Sequence, residues 1–402
     1  MSWKKLSSYY NFKQINCQIM KKSSKPFIKT ICLNLFILGF LSLFTACNNG
    51  PSEEKTSQPE TEEIVKFNDI YWNVKAIQPD GQSLDVKVFN TAGDPFDIKA
   101  IQNSDQDNLL DVKAIVDGEQ LPVKILVSKQ QFTPVVAITN NGNVYRLKAI
   151  TPEGEQIQVI GVVRFGNIVI MKAVTQKGKF YGVKAISPTG QLNDVKGIKI
   201  NFQEREMTSR GHNIFAHVKA MHPASNEDNF KLPKKNVEKG IYKSDFKRIM
   251  WNIKAITTDG KNLDVKAIDA EGNTFDVKAT QDSEQHSFMN IKAFVEGTEL
   301  PVKIMESTDE YAPIKAIGTD GTIYDIKALT EDNVKLDVKG ISRSGNIIHV
   351  KAIDENGELL AVKAFAPDGK LNQVKGIKIF DREIEMKVKG HPVYAHLKAI
   401  NQ

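Results

Sequence analysis

Histidine, lysine and aspartate are the reactive residue types that recur in set phrases along this 402-residue chain. His212 and His217 stand in the phrase G-H-N-I-F-A-H, and His391 and His396 in G-H-P-V-Y-A-H. Histidine binds metals and moves protons near neutral pH. Five residues apart on a strand, however, two side chains point to opposite faces and lie about 16 Å apart. These four are therefore expected as surface or turn histidines of a terminal strand, and neither a metal nor another cofactor is called for. Lysine and aspartate recur together as D-x-K. Acid–base catalysis needs a carboxylate that breaks such a pattern, and none stands out. Walker loop, G-x-S-x-G, H-E-x-x-H and cysteine cluster are all missing from the sequence. The expectation is a protein that is not an enzyme.

The stretches that carry these residues repeat on two scales. "YWNVKAIQPDGQSLDVK" near Trp72 returns as "MWNIKAITTDGKNLDVK" near Trp251, and "GHNIFAHVKA" as "GHPVYAHLKA". Trp72 to Trp251 and His217 to His396 are both offsets of 179. Within the second copy the central lysine falls at 254, 266, 278, 292, 303, 315, 327, 339, 351, 363 and 375, a step of twelve apart from one 14 and one 11. Leu263, Val265 and Ala267 alternate with Asp264 and Lys266, which is the period of a strand. P-D-G, T-D-G and D-A-E-G between strands signal tight hairpin turns. With Ala270-Glu271-Gly272 as a loop, Lys266 faces Asp276 and Ala267 faces Phe275. The previous turn sets Lys254 against Asp264. Extending the first register sets Val265 against Val277 and Asp264 against Lys278. Opposite charges facing across strands stabilise each pair by up to about 1 kcal/mol. A solenoid would stack lysine on lysine instead. The fold predicted is all-β: two tandem antiparallel β-meander repeat domains of about twelve short strands each, as a closed up-and-down barrel or a strongly coiled sheet. Trp72 and Trp251 are expected as core plugs.

The two copies differ in one informative place. Val136, Ile160 and Ile170 stand where the second copy has Lys315, Lys339 and His349. Simple meander register puts Ile160 opposite Ile170 and Val162 opposite Ile168. Val136, Ile160, Val162, Ile168 and Ile170 are thus expected as an outer apolar contact patch, either docking the second domain or receiving a partner.

Composition and leader locate the chain. Residues 1–46 carry seven lysines and no acid, so the remainder balances 47 basic residues (54 − 7) against 48 acidic ones. That is a poor footprint for a nucleic-acid binder. Basic residues, then the apolar run Ile31–Ala46, then Cys47 are ordered as in a secretory signal. The stretch "LFTAC" resembles the lipobox of bacterial lipoproteins, with Phe44 where that motif usually has Leu. The resemblance implies cleavage before Cys47, lipidation of Cys47 and attachment to a membrane. The acidic pair that follows is similar to the surface-export signals of some outer-membrane lipoproteins. Cys17 and Cys32 fall in the leader, so no cysteine is left for the folded part. The organisation expected is a signal peptide at 1–46, a disordered tether at 47–66, a repeat domain at 67–222, a linker at 223–247 and a second domain at 248–402. The function expected is binding or scaffolding of an extended glycan or protein partner at the bacterial envelope, in the outer membrane. The alternatives are a barrel carrier of an apolar ligand and an envelope glycan-processing enzyme.

Overall fold

The computed structural model describes residues 67–201, 203–223, 246–380 and 382–401. The leader, Cys47, the tether and nearly all of the linker lie outside the described residues. Every described element is a strand, in two antiparallel sheets of 13 strands each, one per copy. The all-β tandem architecture is as expected.

The turns form as their residues dictate. Asp269 N donates to Asn273 O at 3.2 Å and Gly272 N to Asp269 O at 3.2 Å. Gly272 has φ 92°, a conformation costly for any side chain with a Cβ. Next to the turns at Gly260 and Gly272 the predicted register holds: Lys254 with Asp264, Lys266 with Asp276, Ala267 with Phe275. In these two hairpins it holds for only three residue pairs each. Beyond them the strands part, so Val265 pairs with Ala328 and Val277 with Ala293, not with each other, and Asp264 pairs with Leu329, not with Lys278.

The parting is systematic. In the first copy β1 (Ile70–Ile77), β2 (Ser83–Phe89) and β3 (Pro95–Gln102) pair mutually, each pair over a few residues, in a three-strand junction. So do β4 (Leu109–Val116), β5 (Glu119–Leu126) and β13 (His212–Met221). β6 (Thr133–Ile138), β7 (Val144–Ile150) and β8 (Gln156–Phe165) form a third. β9 (Ile168–Val174), β10 (Phe180–Ile186) and β11 (Leu192–Ile198) form a fourth. On its other edge each strand pairs with a strand of a different junction: β1 with β10, β2 with β7, β3 with β4, β5 with β6, β8 with β9 and β11 with β13. Each junction is thereby linked once to each of the other three, the connectivity of a tetrahedron. The short β12 (Met207–Ser209) pairs only with β13.

The second copy repeats this wiring. Its junctions join β14 (Ile249–Ile256), β15 (Asn262–Ile268) and β16 (Thr274–Gln281); β17 (Phe288–Val295), β18 (Thr298–Met305) and β26 (His391–Ile400); β19 (Ala312–Ile317), β20 (Ile323–Leu329) and β21 (Lys335–Ser344); and β22 (Ile347–Ile353), β23 (Leu359–Phe365) and β24 (Leu371–Ile377). The short β25 (Met386–Val388) pairs only with β26. Twelve strands complete four junctions, and all twelve are paired on both edges. An unpaired edge is an aggregation hazard, and this closure removes it.

The apolar residues flanking the central lysines, mostly Val and Ala, point inward and fill each sheet with one continuous core, Trp72 and Trp251 included. Trp72 Nε1 donates to Gln102 Oε1 at 2.9 Å and Trp251 Nε1 to Gln281 Oε1 at 2.8 Å, which satisfies both buried indoles. One interior volume exchange is visible. Ile304 takes a slot held by Ala in most repeats, and Gly340 and Gly376 stand where neighbouring repeats have Ala. A Cβ on Gly376 would collide with Ile304 Cδ1, and one on Gly340 would lie 3.0 Å from Ile348. Ile125 and Gly197 make the same exchange in the first copy.

Candidate functional site: the lysine junctions and the contact between the copies

Most inward positions are apolar, and the D-x-K residues meet on the outer face around the junctions; Asn193, Asn372, Lys199 and Lys378 are polar side chains that are nonetheless fully buried. At β14–β15–β16, Lys254 donates to Asp264 at 2.7 Å, Lys266 to Asp276 at 2.6 Å and Lys278 to Asn252 Oδ1 at 2.7 Å. The ring is cyclic: each lysine reaches the residue two before the next strand's lysine. β1–β2–β3 is built alike, with Lys75 on Asp85, Lys87 on Asp97 and Lys99 on Asn73. The Asp97 and Asp276 carboxyls are held below the usual carboxylate range, chiefly by hydrogen bonds from Lys87 and Lys266.

Between junctions the order reverses. Lys254 is opposite Lys363, Lys266 opposite Lys327, Lys278 opposite Lys292, Lys303 opposite Lys315, Lys339 opposite Lys351 and Lys375 opposite Lys398. The expected checkerboard of opposite charges therefore exists within junctions and not between them.

The four histidines divide. His212 Nε2 lies 2.6 Å from Gly142 O and His391 Nε2 3.0 Å from Gly321 O, as turn histidines. His217 and His396 are not surface residues: both are fully buried. The outward column of β13 and β26 is where the two copies meet, so outward there means covered. His217 Nδ1 lies 2.7 Å from Lys124 Nζ, and His396 Nδ1 2.8 Å from Lys303 Nζ. The ring of Phe380, from the second copy, meets the His217 ring edge-on with centroids 4.9 Å apart. Burial first, then neighbouring lysines, hold both imidazoles well below the ordinary histidine range. The same burial pushes Lys124 and Lys303 down to about 7. Among the described residues no group of three His, Cys, Asp or Glu is placed to hold a metal ion.

The contact is reciprocal. Leu109, Ile168, Ile198, Ile200 and Met221 pack with Phe288, Ile347, Ile377, Ile379 and Ile400. Asn290 Nδ2 donates to Asn167 Oδ1 at 3.3 Å. The turn at Gly166 lies against Ser283, and its counterpart at Gly345 against Ser104.

The expected apolar patch is not one exposed surface. A bulge at Val162 slips the register, so Ile160 pairs with Lys172, Val163 with Ile170 and Phe165 with Ile168. Val162 and Ile170 are buried with Val163 and Phe165, and the half-buried Ile160 packs against them. Val136 is buried with Ile138 and Ile214. Ile168 belongs to the contact with the second copy. An extra residue in one strand flips every later side chain, which a simple hairpin register does not anticipate.

Sequence reasoning missed two sets: the half-buried Lys124 with the buried Lys303, Glu206 and Glu385, and the trio Lys351, Lys363 and Lys375. The second set did leave a signal, because Ala361 and Gln373 replace Asp in their D-x-K phrases.

Residues 68–221 and 247–400 each match the sequence model of a family described as "Family of unknown function (DUF7486)". The two matches cover more than half of the chain, which therefore belongs to that family, as two tandem members. No curated protein matches it.

Proposed function

We propose that this two-copy member of a family of unknown function is a lipid-anchored protein of the bacterial envelope, which binds or scaffolds an extended glycan or protein partner without catalysing a reaction. One observation carries the reading: the inward face of each sheet is a filled apolar core, and the lysines and aspartates of the D-x-K phrases lie on the outer face. Function then falls to the surface. A carrier of apolar ligands needs an interior chamber, and the described residues fill theirs with side chains. Leader order and Cys47 support the anchor and the address.

Protease shaving of intact cells, followed by blotting, tests the address. Loss of the chain from intact cells fits a surface binder. Survival until the envelope is opened would put the scaffold in the periplasm. Cys47→Ala should move the chain from the membrane to the soluble fraction. A variant that stays in the membrane would overturn the lipid anchor.

A further inference from the structure

The junction of β22, β23 and β24 departs from its counterparts. Elsewhere most lysine rings keep at least one carboxylate: Asp264 and Asp276 at β14–β15–β16, Asp325 and Asp337 at β19–β20–β21. Here Lys351 faces Ala361, Lys363 faces Gln373 and Lys375 faces His349. Three ammonium groups share one ring with no acid in it. His349 is fixed on both sides, Nδ1 at 3.3 Å from Lys375 Nζ and Nε2 at 3.0 Å from Nε2 of Gln106 in the first copy. The ring at β17–β18–β26 also lacks carboxylates, but it is buried between the copies and feels Glu206 and Glu385. At β22–β23–β24 the charges acting on Lys375 are Lys351 and Lys363, and those acting on His349 are Lys375 and Lys351. Lys351, Lys363, Lys375 and His349 are all partly open to solvent.

The first copy shows how such a ring is neutralised. Its counterpart is a groove of about 190 Å³ lined by Lys172, Lys184, Lys196 and Asp194. The Asp194 carboxylate contacts Lys184 and lies 3.3 Å from Lys196. There an internal anion sits among the lysines.

We propose that Lys351, Lys363 and Lys375 form a binding site for a tetrahedral oxyanion, the phosphate or sulfate ester group of an envelope glycan. Three amines around a pseudo-threefold ring can each donate to one of three oxygens, leaving the fourth, ester-linked oxygen directed outward. Charge-assisted hydrogen bonds of this kind are roughly twice as strong as neutral ones. Uncompensated cations in a partly covered ring also raise the local potential for anions. The inference deepens the surface-binding reading and rests on it for the source of the ligand; the site itself is tested in vitro.

The experiment is thermal unfolding of the full chain in detergent at low ionic strength, with inorganic phosphate, sulfate, glucose 6-phosphate or glucose added. The second copy's transition should rise with the three anions, not with glucose, and the rise should fade with added sodium chloride. Ala361→Asp installs the carboxylate that other junctions carry. It should raise the transition without ligand and weaken the phosphate response at least tenfold. Lys363→Gln should weaken the response without that gain. No response in the wild type, or a full response in folded Ala361→Asp, would overturn the site. A response to anions combined with recovery of the chain in the cytosolic fraction would keep the site and remove the envelope reading.

Discussion

Lys266 and Lys327 stand side by side on β15 and β20, and each ammonium turns away from the other, Lys266 to Asp276 and Lys327 to Asp337. Like charges directly opposite are destabilising. Here the opposition is relieved because each strand belongs to a different junction that supplies an acid. The pairing thus depends on closure, not on adjacency in the chain. Deleting residues 258–269 would remove β15, leaving its junction with two strands and β20 with a bare edge. A simple meander would lose one strand and remain folded. We expect the second copy to lose cooperative unfolding and to aggregate, measured by circular dichroism and sedimentation. A soluble, cooperative deletion variant would contradict the closure.

The exchange of volume between Ile304 and Gly376 predicts a non-additive pair. Gly376→Ala should destabilise the second copy by roughly 1–3 kcal/mol, because overpacking a filled core forces side chains off their rotamers. Ile304→Ala alone should cost about 2–5 kcal/mol by leaving a cavity. Together they should cost less than the sum, because the new methyl occupies space the isoleucine vacates. Denaturant midpoints of the four proteins check this.

Stability should change with pH at both ends of the range. Lys124 and Lys303 have folded-state pKa values of about 7, below the ordinary 10.5, mainly through burial. Between these values the unfolded chain binds more protons than the folded one, so stability should rise as pH rises from about 7 toward 10. Lys303→Met should raise stability at pH 6 by roughly 1–3 kcal/mol and flatten that rise. Asp97, Asp276 and Asp337 have lowered pKa values, so their contribution should be lost as pH falls through the acid range. Urea titrations at fixed pH values read both limbs.

Ile198 and Ile377 are fully buried where the two copies touch. Lysine in either place would bury an unpaired charge in that contact. Ile198→Lys with Ile377→Lys should separate the copies while each keeps its own core. The expected result is a larger hydrodynamic radius and faster cleavage between residues 223 and 246, with strand content retained. An unchanged radius would mean that the contact does not depend on this apolar cluster.

Strands, turns and the tandem copies were legible because they are local. Alternation around Lys266 and the glycine at 272 suffice for a strand and its turn. The wiring was not local. Three residues past a turn, Val265 chooses between Val277 and Ala328, and nothing near it in the chain expresses that choice. His217 illustrates the same limit, since an outward column reads alike whether water or a second copy lies against it. The bulge at Val162 hid the fate of the apolar patch. The missing aspartates at Ala361 and Gln373 were visible, yet they acquire meaning only when their strands meet in one ring.

Cross-linking of the native lysines reads four-junction closure in the folded protein. A short amine-reactive linker applied to the folded full chain, with peptides identified by mass spectrometry, would read the pairs between junctions. Links Lys75–Lys184, Lys87–Lys148, Lys254–Lys363 and Lys266–Lys327 are expected, because these pairs are strand neighbours. Links confined to lysines of consecutive repeats would contradict that closure.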